Sequence, residues 1–276
     1  MGRPHIEFIQ AQALPWQEGL YASCRPGTQV KVLSRDDETG ATSVLIRYPA
    51  GWSRADETLQ ADEEFYVIDG ELKMNGTSYP RDTFAYHPAG YRRSGFSSGN
   101  GAVVITFFES DPEAGTAPDE PDQARLIEKR GLFEGGWDKS GAPPGVPPAG
   151  FKKYLREDPY TKDQTWVRCT IPFHQGAAVE IHPTVEEMYL LAGSACGNEG
   201  VMRPGAYFWR PAGIRHGPYG TNTGTLYLFR TKGGALSTDY DEANDKPFDW
   251  DPPYAPVLPA GMEQYRKQNL DWIDNY

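Results

Sequence analysis

Several patterns are scarce in this chain, and each absence excludes a class of protein. The 276 residues contain three cysteines, an odd number without a CxxC pair, which excludes a disulfide framework and a zinc knuckle. No run of about 18 apolar residues occurs, so no transmembrane helix is expected. The formal net charge of −11 argues against a basic surface for nucleic acid or for an anionic membrane.

The N-terminal segment MGRPHIEFIQAQALPW lacks the basic start and apolar core of a signal peptide. Together with the cysteine usage, this predicts a cytoplasmic protein. Segments with helical periodicity are also scarce, whereas glycine (30) and proline (24) are abundant. Many short strands joined by Gly/Pro turns are typical of an all-β sandwich or barrel.

An internal repeat with a constant offset of 123 residues runs through the chain. The segment ETLQADEEFYVIDG (57–70) aligns with EIHPTVEEMYLLAG (180–193), and YHPAGYRR (86–93) aligns with WRPAGIRH (209–216). No gap is needed from about residue 43 to residue 108. A constant offset across several strands and turns indicates two copies of one supersecondary unit.

The repeat sets the expected domain boundaries. We expect an N-terminal barrel at 1–110, a Pro/Gly/acidic linker at 111–150, a C-terminal barrel at 151–245 and an extended arm at 246–276. A short helix is predicted near 124–132, inside the linker. The aromatic residues of the arm indicate that it packs on a barrel or on a partner subunit, so both a monomer and a homodimer are expected forms.

Strand periodicity places a carboxylate among apolar side chains in the second copy. If 186–191 is a strand, Glu186 shares one face with Met188 and Leu190. A carboxylate on an inward face is costly unless it is paired or bound to metal. His182 precedes Glu186 by four residues, and the turn between them can bring both side chains to one point.

Three further residues are candidates to line a substrate pocket; the alternatives are core packing for the two aromatic residues and a surface position for the histidine. Tyr207 and Trp209 share a face of the neighbouring strand AYFWRP, and that face is predicted to point inward. His174 lies eight residues before His182, near the expected mouth of the barrel.

These motifs resemble those of the cupin superfamily, which read G(X)5HXH(X)3–4E(X)6G and G(X)5PXG(X)2H(X)3N. The second copy fits the end of the first motif as His182-(X)3-Glu186-(X)6-Gly193. It fits the second motif through Pro211-X-Gly213-(X)2-His216. The resemblance implies two tandem jelly-roll barrels, a bicupin. The HxxxEE pattern of the second copy is also similar to that of ChrR-type cupin domains.

The resemblance implies one divalent metal ion in the second barrel, since family cupins bind it through two motif-one histidines, a glutamate and a motif-two histidine. Carried over position by position, the ligands are His182, Glu186 and His216, with Glu180 at the first histidine position. Fe(II) is favoured, with Zn, Mn or Ni as alternatives. Glu180 is either a ligand or a free general base, and its strand parity with His182 favours the ligand. A polar cluster without metal is the alternative.

The corresponding positions of the first copy are Glu57, Leu59, Glu63 and Arg93. Leucine cannot bind metal, and arginine brings a positive charge to the place of a cation. The first barrel is therefore expected to be metal-free, with Arg93 paired to Glu63 or Glu57.

A metal with an open position beside a carboxylate suits O2 activation or Lewis-acid chemistry. The leading expectation is therefore a metal-dependent dioxygenase acting on a small diketone, phenol or organic acid. A metal-dependent lyase or isomerase is the alternative enzyme. A non-catalytic, ligand-sensing cupin is the alternative outside enzymes, although the chain lacks the helical partner segment expected of a sensor.

Overall fold

The computed structural model describes residues 2–139, 149–176, 178–241, 248–268, 271–272 and 274–276. The chain forms two compact units: Met1–Arg3 with Leu14–Glu134, and Pro4–Ala13 with Gly135–Tyr276. Among the described residues the regular elements are β-strands and two single-turn 3-10 helices, Ala11–Ala13 and Glu263–Tyr265. No described helix has the length and apolar character needed to cross a membrane.

The strands are numbered in chain order. Strand β1 (Ile6–Gln10) lies in the second unit, and the first unit contains β2 (Gln17–Glu18), β3 (Gln29–Arg35), β4 (Thr42–Tyr48), β5 (Trp52–Arg54), β6 (Glu57–Thr58), β7 (Glu63–Met74), β8 (Thr77–Pro80), β9 (Thr83–His87), β10 (Arg92–Arg93), β11 (Phe96–Ser98), β12 (Ala102–Phe108) and β13 (Ile127–Gly131). The second unit continues with β14 (Gly150–Glu157), β15 (Gln164–Thr170), β16 (His174–Gln175), β17 (Val179–Ile181), β18 (Val185–Gly193), β19 (Ala195–Gly197), β20 (Gly200–Met202), β21 (Ala206–Arg210), β22 (Gly220–Thr221), β23 (Thr225–Lys232) and β24 (Asp239–Asp241).

The main sheets of the two units have the same strand order. The first runs β13-β9-β7-β12-β4-β3-β2, and the second runs β1-β21-β18-β23-β15-β14. The named pairings are antiparallel, as in jelly-roll barrels. The sequence repeat is therefore a repeat of barrels, and the all-β fold with two tandem jelly rolls is confirmed.

A pair of glycines marks the same tight crossing in each barrel. Gly70 and Gly193 adopt φ of 75° and 80°. A Cβ on Gly70 would lie 2.1 Å from the carbonyl oxygen of Gly101, and one on Gly193 would lie 1.9 Å from that of Gly224. Only glycine fits both the positive φ and this approach.

The N-terminal strand lies in the second unit, although the repeat boundaries place it with the first. Strand β1 is buried along its whole length and pairs with β21, with Ile6 opposite Trp209. In the first unit the equivalent place beside β9 is taken by β13, with Ile127 opposite Tyr86. Each barrel thus needs a covering strand at this edge, since an open edge leaves backbone groups unpaired.

The helix predicted near 124–132 is wrong, because β13 (Ile127–Gly131) occupies this stretch as a strand. Its middle residues are exposed, so no apolar helical stripe exists to be buried. Pairing with β9 satisfies the backbone instead and overrides local helix propensity.

The described part of the C-terminal arm packs on the second unit. Val257 forms a backbone bridge with Glu7, and the Ala255 amide donates to the carbonyl of Glu199 at 2.9 Å. The ring of Tyr254 lies 5.2 Å from that of Phe8, and its hydroxyl donates to the Phe8 carbonyl. The aromatics of the arm therefore cover β1.

Candidate metal centre

Glu180, His182 and His216 converge at one point of the second barrel. One carboxylate oxygen and one nitrogen from each imidazole lie within 4.8 Å of one another. Glu180 lies in β17, His182 follows this strand, and His216 lies in the segment after β21. A backbone bridge holds the two segments together, since the Glu180 amide donates to His216 at 2.8 Å and the His216 amide donates to Glu180 at 3.1 Å.

Both imidazoles are held with one nitrogen facing the cluster. His182 Nδ1 lies 2.9 Å from the carbonyl oxygen of Ser237, and His216 Nδ1 lies 3.0 Å from that of Ile214. A carbonyl oxygen can only accept, so each Nδ1 carries a hydrogen and each Nε2 is the ring nitrogen that faces the cluster. Burial, reinforced by the Arg210 guanidinium, lowers the pKa of His216 to about 3. His216 is therefore neutral, the state in which histidine binds metals.

Glu186 completes the cluster from β18. Its Oε2 lies 3.8 Å from Nε2 of both His182 and His216, and Nη1 of Arg210 donates to the same oxygen. Burial raises the pKa of Glu186, and the Arg210 charge opposes this effect. Glu186 is thus placed either as a fourth ligand or as a carboxylate that Arg210 holds beside the other three.

Arg210 connects the cluster to the N-terminal strand. Its Nε donates to Glu7 Oε2 at 2.8 Å, and its Nη2 donates to the Tyr219 hydroxyl at 2.7 Å. Tyr219 in turn donates to Glu7 Oε1 at 2.9 Å. Although burial opposes ionisation, Arg210 holds the pKa of Glu7 well below its usual value. Glu7 therefore fixes the guanidinium that positions Glu186.

The charge around the cluster favours a cation. Glu7 and Glu186 pair with Arg210, and Glu180 adds a third carboxylate beside the two imidazoles. Lys152 and Arg168 lie on another wall of the cavity. A donor set of carboxylates and imidazoles, buried except for the half-exposed Glu180, fits a divalent ion of the Fe, Mn, Zn or Ni type.

A cavity of about 160 Å³ opens beside the cluster. His174 lines this cavity, as predicted from the sequence, together with Met188 on the face that carries Glu186. Tyr207 and Trp209 do not line it, and Phe208 and Arg210 do.

The assignment of the inward face of β21 was therefore wrong. The register pairs Glu186 with Arg210 and Met188 with Phe208, so these residues share the cavity face. Tyr207 points to the opposite face, where its hydroxyl donates to Glu187 Oε1 at 2.7 Å. Strand alternation alone does not fix register, and a shift of one residue exchanges the two faces.

The equivalent place in the first unit holds an arginine. The Arg25 guanidinium donates to Glu57 Oε1 at 2.7 Å and to Glu63 Oε1 at 2.6 Å, and these carboxylates correspond to Glu180 and Glu186. Arg93 Nη2 lies 2.8 Å from Glu63 Oε2, as predicted. An internal cation thus lies between the carboxylates that correspond to candidate metal ligands.

Sequence reasoning missed Glu7, Arg25, Arg210 and Tyr219. A signal for Arg210 was present, because the repeat aligns Arg210 with His87 and His216 with Arg93. Histidine and arginine have exchanged places between the copies. Glu7 and Arg25 lie outside the aligned part of the repeat and gave no such signal.

Comparison with known proteins agrees with this division. Residues 5–110 match the model of the ChrR Cupin-like domain, and residues 134–238 match that of a domain of unknown function, DUF4437. The ChrR resemblance is thus present, but it falls on the first copy and not on the second. Among curated proteins, none matches the chain.

Solved structures share the fold of the two barrels. A candidate dioxygenase from Nostoc punctiforme has a TM-score of 0.73 at 18% identity, over 84% of this chain and 87% of that one. Oxalate decarboxylase from Bacillus subtilis has a TM-score of 0.57 at 13% identity, over 85% and 78%. Another structure of that enzyme, described for its Mn(II) centres, has a TM-score of 0.55 at 13% identity, over 85% and 79%. These similarities show the fold.

Proposed function

Since this chain folds as two jelly-roll barrels of the cupin type, we propose that it is a bicupin and a metal-dependent enzyme with its reaction centre in the second barrel. We further propose a dioxygenase acting on a small organic molecule. One observation carries the proposal: two buried imidazoles and one carboxylate converge beside a cavity. Two histidines and one carboxylate with open positions form the ligand set of non-haem Fe(II) oxygenases.

In this proposal His182, His216 and Glu180 hold the ion, and Glu186 is a further ligand or an oriented neighbour. Bound Fe(II) would supply the one-electron chemistry that reaction with O2 requires. The chain orients the ligands through the Ser237 and Ile214 carbonyls. Met188 and Phe208 form an apolar part of the cavity wall and would shield one side of the reacting molecule from water.

A lyase or isomerase is the second candidate, and the exposure of Glu180 favours it. The Glu180 side chain is 36% exposed, whereas those of His182 and His216 are 4% and 2% exposed. A carboxylate in contact with solvent can exchange protons, as a general base must. The dioxygenase remains first because the two Nε2 atoms and Glu180 face the same point.

Oxygen uptake separates these functions. The protein is loaded with Fe(II) in the absence of oxygen. It is then mixed, in buffer that contains O2, with diketones, catechols and hydroxy acids, and the dissolved O2 and the products are measured. A dioxygenase consumes O2 in proportion to product, whereas a lyase or isomerase forms product without O2. Binding without turnover of any panel member would instead indicate the non-catalytic sensor.

Glu180→Gln distinguishes the two roles of Glu180. If Glu180 is a base, the variant keeps its metal and turnover falls by about 10². If Glu180 is a ligand, the neutral amide binds less well and metal content falls, while Glu180→His restores it. Metal analysis and turnover are measured on the same samples. A variant with normal metal and normal turnover would contradict both roles.

A further inference from the structure

Two positive side chains line the cavity on the strands next to the cluster. Lys152 lies in β14 and Arg168 lies in β15, directly opposite each other in the strand register. The Lys152 ammonium lies 4.6 Å from the centre of the Trp166 ring, which also lines the cavity. Lys152 is half-buried and Arg168 is exposed, so the pair extends from solvent into the cavity.

This arrangement is unfavourable without an anion. Like charges directly opposite on neighbouring strands destabilise a sheet. Burial and the Arg168 charge both lower the pKa of Lys152, which reports the same conflict. Within the described part of the chain, neither residue has a carboxylate in ion-pair contact. The Trp166 ring and the charges of Glu186 and Asp138 favour the charged form of Lys152, but they leave Lys152 and Arg168 directly opposite each other.

Resting on the proposed function, we infer that the substrate is a small organic acid whose carboxylate binds between Lys152 and Arg168. The planar carboxylate matches the fork of the guanidinium, and the ammonium adds a second charge. Thr170 continues the same strand face and also lines the cavity, so its hydroxyl is a third polar group on this wall. The small cavity selects a compact molecule.

The inference gives the substrate a direction. Its carboxylate lies toward β14 and β15, and its reacting part lies toward His182 and His216. Fixing one end of a small molecule in this way orients the other end for reaction. The cluster and the cations are thus two ends of one binding site.

Binding tests the inference without turnover. Protein loaded with Zn(II), which has no redox chemistry, is titrated in a calorimeter with small carboxylic acids, their methyl esters and inorganic phosphate. We expect acids to bind and esters to fail. Lys152→Met and Arg168→Gln should each weaken acid binding about 10-fold or more, as expected for loss of a charged partner. Lys162→Met, an exposed lysine outside the cavity, is the matched control and should bind normally.

The outcomes separate this inference from the proposed function. Acid binding that depends on Lys152 and Arg168 supports the inference even if no O2 is consumed. The absence of O2 uptake would then contradict only the proposed dioxygenase activity. The inference is overturned if no acid of the panel binds, if esters bind as well as acids, if phosphate binds more tightly than every acid, or if both variants bind normally. O2 uptake with a neutral phenol in that case would leave the dioxygenase standing.

Discussion

His216→Ala is expected to yield folded protein with almost no metal and no measurable turnover. The variant removes one of the two imidazoles that face the cluster, and even loss of an outer partner of a ligand typically lowers metal affinity about 10- to 100-fold. The loss should therefore exceed that range. Metal content of the purified protein is measured by elemental analysis, and the fold is followed by circular dichroism.

His174→Ala is the matched control for this variant. His174 lines the same cavity but is not part of the three-residue cluster. Its replacement should leave one metal ion per chain. If His216→Ala retains its metal, or if the wild-type chain carries two ions that both survive the substitution, the site in the second barrel is wrongly assigned.

Arg25→Met is expected to destabilise the protein by about 3–5 kcal/mol at neutral pH. Methionine keeps much of the aliphatic volume, so the loss reports the charge and its hydrogen bonds. Arg25 is fully buried and bridges Glu57 and Glu63, and its removal leaves these buried carboxylates with only Arg54 and Arg93 as their respective partners. Urea denaturation of the full chain measures the loss.

The loss of stability caused by Arg25→Met should become smaller as pH falls. Burial alone would raise the pKa of Glu63, but Arg25 and Arg93 outweigh it and hold that pKa below its usual value. In the wild type this stability is present above the unfolded pKa and is lost as pH falls. In the variant the less compensated carboxylate takes up a proton more readily, so acid stabilises it relative to the wild type.

Arg92→Met is the matched control in the same barrel. Arg92 pairs with Asp56 at 2.8 Å, but both side chains are exposed. Such pairs contribute about 1 kcal/mol or less. Equal losses in the two variants, or a deficit at Arg25 that does not change with pH, would contradict the proposed role of the buried guanidinium.

Local patterns predicted the barrels and most of the cluster. The spacing of His182, Glu186 and His216 is fixed by two motifs whose turns recur in the other copy, so the sequence alone brings these residues to one place. The same alignment predicted the pairing of Arg93 with Glu63. Contacts set within one repeat are thus accessible to sequence reasoning.

Contacts set between distant segments were not predicted. Tyr207 and Trp209 were assigned to the cavity face because alternation gives two faces without saying which one the register of β18 and β21 turns inward. Glu7 contacts Arg210 although about two hundred residues separate them in the sequence, and no residue of the repeat corresponds to Glu7. Arg25 similarly reaches Glu57 from outside the repeat.

The place of β1 limits how this protein can be divided. A fragment cut in the linker would carry Glu180, His182, Glu186 and His216, and by motif it would count as a complete metal-binding module. It would nevertheless lack the strand that covers β21 and the Glu7 carboxylate that holds Arg210. The sequence repeat and the structural unit that can be transferred to another protein therefore have different boundaries. A chimaera that carries this centre must also include Pro4–Ala13.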